Sequence, residues 1–278
     1  MHASTVRTLL IRGMLAGLIA GLFAFAVAYV GGEPSVDGSI AVEEAQAAQE
    51  AAHAGHGGGA EAEEEEVVSR SAQSTFGLAT GVLVYGVALG GIAALAFSFA
   101  LGRVGRFSPR ATAALTAAAA FTTVYLVPFL KYPATPPAVG NPDTIGKRTT
   151  LFFLMILLSV LLGVAAVILG RRLAPRLGNW NASLAAGFGF VLVTGIAFAV
   201  LPANDDAVKA GFPAKLLWEF RLASLGVQVV LWVVFAVVFG YLAQKALAAR
   251  TAAAEAPARS SAPPDAGGWV RAGRSPSP

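Results

Sequence analysis

Charged residues and apolar residues are segregated along this chain. Six stretches hold no Asp, Glu, Lys, Arg or His: residues 13–30, 71–102, 111–130, 149–170, 177–204 and 222–244. Each runs to about 18 residues or more, enough for a helix to cross a hydrocarbon core of about 30 Å. An open strand would leave its backbone groups unpaired in lipid, so the pattern predicts helices. The expected fold is an all-α polytopic integral membrane protein with spans near residues 9–30, 77–101, 111–130, 149–170, 181–203 and 222–244. Residues 1–249 then form one membrane domain, 31–76 an acidic loop, and 250–278 a disordered tail rich in Ala, Pro, Ser and Arg.

Composition fits this pattern. Of 278 residues, 56% are hydrophobic and 13% charged, whereas soluble domains carry about a quarter charged residues. The net charge of +4 matters less than its placement. If the N-terminus is cytoplasmic and the spans alternate, Arg7, Arg12, Arg103, Arg106, Arg110, Arg171, Arg172, Arg176, Lys245 and Arg250 fall inside. All acids but Glu255 and Asp265 fall outside. Positive-inside counting therefore predicts N-in and C-in. The first apolar run ends in Ala26-Val27-Ala28, like a signal-peptide cleavage site. Its length favours a retained helix; cleavage would leave five spans in the same orientation.

Gly13, Gly17 and Gly21 recur every fourth residue in the first span, and Gly77, Gly81, Gly86 and Gly90 occupy the second. Such faces let helix backbones approach closely in lipid, against each other or against a partner. Between spans three and four, residues 127–149 read V-P-F-L-K-Y-P-A-T-P-P-A-V-G-N-P-D-T-I-G-K-R-T. Proline fixes φ and removes donors, so a stiff, extended segment is expected: a rigid spacer, or a lid beside a path.

Candidate chemistry lies mostly in the loops. His53 and His56, spaced i, i+3, precede Glu61, Glu63, Glu64, Glu65 and Glu66. Imidazole and carboxylate together suit cobalt, nickel or zinc; the alternative is a solvated acidic linker. Glu33, Asp37, Asn141 and Asp143 form a candidate mouth, with Lys131, Arg148 and Arg221 expected to pair with its acids. Tyr132, Trp218 and Phe220 would anchor the same face at the lipid boundary. The spans hold neutral polar groups only, among them Ser98, Thr122, Thr123, Ser159, Thr194 and Gln228. These could line a path for a hydrated ion or bond between helices. With no cysteine, thiolate sites are excluded. Phosphate-loop and nucleophile-elbow motifs are missing too, so neither ATP hydrolysis nor enzymatic catalysis is expected.

The proline-rich run, together with G-E-P-S-V-D-G-S-I-A-V-E-E, V-S-R-S-A-Q, L-G-N-W-N-A and G-F-P-A-K-L-L-W-E-F-R-L-A-S-L-G-V-Q, resembles the predicted cobalt transporter subunit CbtA family. The resemblance covers about residues 8–248. It implies a multi-pass protein of the bacterial inner membrane that takes up cobalt, or a related divalent metal, for vitamin B12 synthesis. It also implies a small single-span partner, CbtB. Cobalt would be cargo, with no tightly bound cofactor, and the lipid bilayer rather than nucleic acid would surround the chain. Homo-oligomerisation is left open. The alternative function is a non-transporting scaffold that positions a small metal-binding partner.

Overall fold

The structure is a computed structural model describing residues 3–53, 69–137, 139–140, 142–204, 208 and 211–260. Its regular elements are all helices, with no strand among the described residues. Helix α1 (Ala3–Val27) passes through a π-helical turn (Ala28–Gly32) into α2 (Glu33–His53). A short α3 (Arg70–Ala72) and a second π turn (Gln73–Gly77) lead into α4 (Leu78–Ala100). Then come α5 (Pro109–Ala120), a third π segment (Phe121–Leu126), α6 (Val127–Lys131), α7 (Ile145–Val200) and α8 (Ala214–Ser260). Five of the resulting helices are long and apolar enough to cross a membrane.

Helices α1 and α4 pack antiparallel through glycine. Leu9, Gly13, Ala16, Gly17, Ala20, Gly21 and Ala24 make up most of the buried face of α1, and all but Leu9 are Gly or Ala. Facing them are Gly86, Gly90 and Ala94 of α4. A Cβ added at Gly13 would stand 2.6 Å from Gly90 O, and one at Gly86 would stand 2.6 Å from Gly17 O. No side chain fits there. Close backbone approach replaces the hydrophobic drive that lipid removes.

Helix α8 covers this pair with aromatic rings. Phe97 of α4 meets Phe239 edge-on at 5.1 Å, and Phe235 stacks on Phe239 at 5.1 Å. Arg12 of α1 donates to Leu242 O of α8, and Arg250 of α8 reaches the Thr5 hydroxyl. Helix α5 runs antiparallel to α8, with Gly240 close to Arg110 and Ala113. Its start follows from sequence: Ser108 caps it, accepting from Ala111 N at 3.2 Å, and Pro109 sits in the first turn.

Helix α7 is folded back on itself. Gly178 has φ 74° and ψ 162°, and Pro175 precedes it by three residues. As a straight rod, 56 residues would extend about 84 Å. Instead a Cβ at Gly170 would lie 3.4 Å from Ala186 Cβ, and Phe190 and Phe198 pack against the cluster holding Met155. Residues 145–177 and 179–200 are therefore two antiparallel arms, with Gly178 supplying the left-handed backbone at the turn. The first arm docks on the π segment. Ser159 Oγ donates to Thr123 O, and a Cβ at Gly163 would stand 2.8 Å from Thr123 Cγ2.

Two expectations change at the ends. Helix α2 (Glu33–His53) lies within the segment expected as an acidic loop, and α8 continues to Ser260, past the tail boundary drawn at residue 249. Residues 261–278 lie outside the described residues.

Candidate functional site

The antiparallel bundle sorts charge by end. Arg103, Arg106 and Arg110 turn α4 into α5 at the end where Arg12 and Arg250 also lie, and Arg171, Arg172 and Arg176 approach the Gly178 turn there. At the opposite end are Glu33 and Asp37 on α2, Asp143 in the 3-10 turn Pro142–Thr144, and the start of α8.

Glu33 and Asp37 are i, i+4 on α2, so their carboxylates share a face. Arg70, at the start of α3, closes on both. Its Nη2 meets Glu33 Oε2, and its Nη2 and Nε reach Asp37 Oδ1 at 2.8 and 3.0 Å. The Glu33 side chain is 13% exposed and that of Asp37 61%, so the cluster opens to solvent on one side. Arg70 was not among the cations expected to pair with these acids; the π turns that bring α2 and α3 together leave no periodic signal.

Two of the cations expected to pair with these acids, Lys131 and Arg221, bond carbonyls. Lys131 Nζ donates to Phe198 O at 2.7 Å, and Arg221 Nε to Ala134 O at 3.3 Å. Arg148 lies across Gly140, where a Cβ would clash with its guanidinium. Both acceptors are carbonyls left without a helical partner: Ala134 O lies in the proline-rich segment and Phe198 O in the last turn of α7, and long cationic side chains satisfy such groups. Ser39 Oγ adds a bond to Pro137 O at 2.7 Å, and Tyr132 Oη donates to Pro202 O at 2.9 Å. Burial pushes the Tyr132 phenol up, keeping it a protonated donor. Residues 132–137 thus form a strap tying α2 and α8 to the end of α7.

The metal-collecting candidates fall largely outside this picture. His53 ends α2; His56, Glu61, Glu63, Glu64, Glu65 and Glu66 lie outside the described residues, as does Asn141. Among the described residues, no three His, Asp or Glu side chains come together as a metal cage. Tyr132 is buried in the strap, whereas Trp218 is exposed on α8 as a boundary aromatic would be.

The family model for the probable cobalt transporter subunit (CbtA) matches residues 6–244. The chain belongs to the CbtA family. No curated protein and no solved structure matches it. This CbtA family member is therefore a multi-pass membrane protein of cobalt transport, and a subunit, which places it in a complex. A transporter subunit is not a class of enzyme. The match takes in the glycine-packed helices, the strap and the Glu33–Asp37–Arg70 cluster alike.

Proposed function

We propose that this protein is the membrane-embedded subunit of an uptake system for cobalt, or a related divalent metal, in the bacterial inner membrane, serving vitamin B12 synthesis. The observation that carries the reading is membership of the CbtA family over nearly the whole chain. Taking the two arms of α7 as separate crossings gives six spans with both termini inside. The arginine-rich end of the bundle then faces the cytoplasm and the acidic end faces out, as positive-inside counting requires. A CbtB-like single-span subunit is the proposed partner.

On the outer face, Glu33 and Asp37 form the mouth, with Asn141 and Asp143 beside the strap. His53, His56 and the glutamates from Glu61 to Glu66 gather cations ahead of it. Arg70 holds the mouth carboxylates ready in the empty state. An arriving divalent cation competes with one guanidinium for two carboxylates, which favours capture without deep trapping. The scaffold alternative draws on the glycine-spaced faces of spans one and two and on the ion-free interior; Gly13, Gly17 and Gly21 pack on α4, whereas a Cβ at Gly81 would meet nothing within 4 Å.

The test is uptake of radiolabelled cobalt, with nickel and zinc as competitors, in cells lacking other importers and supplied with the partner subunit. Glu33→Ala, Asp37→Ala and Asp143→Ala should each lower uptake. Unchanged uptake in all three would remove the mouth. Cobalt flux into liposomes holding this chain alone would remove the scaffold reading.

A further inference from the structure

The arginines at the basic end of the bundle differ in what their N–H groups meet. Arg12 donates to Leu242 O, Arg250 to the Thr5 hydroxyl, and Arg103 to Phe99 O at 2.8 Å. Arg110 is held in another way. Its guanidinium carbon stands 5.6 Å from the centre of the Tyr241 ring on α8, close enough for a cation–π attraction. Among the described residues its guanidinium donates to no acceptor, and neither Arg110 nor Lys245 joins a salt bridge; the salt bridges of Arg70 and Lys215 lie at the opposite end. A planar fork of five donors is thus fixed in place and left open.

Backbone packing sets this fork at the head of a seam. Helices α5 and α8 touch at Gly240, where an added Cβ would lie 3.5 Å from Ala113 Cβ and 3.5 Å from Arg110 Cα. On α8, Lys245, Tyr241, Val237 and Val233 recur every fourth residue and all four are exposed, so they line one face. On α5, Arg110 and Ala114 are also four apart and exposed. The helices run antiparallel, so the two rows descend together from the Arg110–Tyr241 contact. Two cations and an aromatic ring stand at the membrane edge, with valine and alanine deeper. Ser108 already caps α5 by accepting from Ala111 N. The positive charge therefore comes from side chains and not from an open helix end.

We propose that the α5–α8 seam seats an anionic phospholipid, its phosphate between Arg110 and Lys245 and an acyl chain along Val237 and Val233. Charge complementarity selects this occupant. Cations at headgroup depth attract anionic lipid, and a guanidinium matches two phosphate oxygens at once. The Tyr241 ring fixes the fork beforehand, which lowers the ordering cost of binding. The apolar row gives a lipid a contact that free phosphate cannot use. This seat is remote from Glu33 and Asp37 and does not depend on the cargo that the protein carries.

Native mass spectrometry of the purified full-length chain in detergent tests the seat, with dioleoylphosphatidylglycerol titrated against dioleoylphosphatidylcholine. One phosphatidylglycerol should bind ahead of any phosphatidylcholine. Arg110→Gln and Lys245→Gln should each weaken that binding roughly fivefold, and both together roughly 25-fold, the usual worth of a surface cation beside anionic lipid. Arg171→Gln with Arg172→Gln removes the same charge at the same end and should weaken it far less. Thermal melting in phosphatidylcholine micelles should match the parent for all variants; if the double variant does not fold, the single variants decide. Equal binding of the two lipids would overturn the seat. Equal loss in the two double variants would overturn it too, and leave only a general attraction of the basic end for anionic bilayers. So would displacement of the bound lipid by millimolar inorganic phosphate, because the apolar row would then contribute nothing.

Discussion

Helices α1 and α7 are both long and apolar, yet they are used differently. The most apolar window of α1 is 39% buried within the protein, whereas that of α7 is 11% buried, although α7 is the more apolar of the two. In water, greater hydrophobicity would drive greater burial. In lipid it does not, because the solvent is as apolar as the side chains. What decides burial is residue size. The packed face of α1 is almost entirely Gly and Ala, which bring two backbones into contact. The arms of α7 carry exposed Phe153, Leu157, Leu161, Phe188, Val191 and Ile196. Their few anchors are specific: Ser159 and Gly163 on the π segment, Met155 with Val127 and Tyr132, and the strap at the far end.

The sharpest way to break this comparison is to insert a side chain where backbones touch. Gly17→Leu should cost more than about 3 kcal/mol, beyond the usual range for overpacking, because the obstacle is Gly86 backbone on a facing helix. Gly187→Leu in α7, where nothing lies within 4 Å of the added Cβ, should stay within about 0.5 kcal/mol. Equilibrium unfolding in mixed micelles reads both. Equal effects would mean that the glycine face does not hold α1 to α4.

A smaller effect is expected at the α7 turn. Gly178→Ala should cost about 1–2 kcal/mol, since an L-residue there must adopt positive φ. It should also raise protease cleavage near residue 178 without altering the α1–α4 contact, which a disulfide formed between paired cysteines could monitor. The smallest effect belongs to the strap. Tyr132→Phe removes the bond to Pro202 O and should cost about 1 kcal/mol. Loss of uptake with unchanged melting would instead assign the strap a role in gating.

Much of the helical pattern was legible, because exclusion of charge from lipid writes the spans directly into the sequence. The candidate site was less so. Glu33 and Asp37 could be paired from their i, i+4 spacing, but their cation could not. Lys131, Arg148 and Arg221 were expected there and Arg70 was not, and only the fold sets the carbonyls of Phe198 and Ala134 beside Lys131 and Arg221.

The sequence alone therefore determined the helical class, the apolar runs and the separation of acids from arginines, for these depend on transfer of each residue between water and lipid. Tertiary structure decided three other things: which glycines face which backbone, which carbonyl each cation meets, and which polar atoms are left without a partner. Those depend on helix rotation and on π turns that shift register by one residue, and no periodicity along a single chain records them.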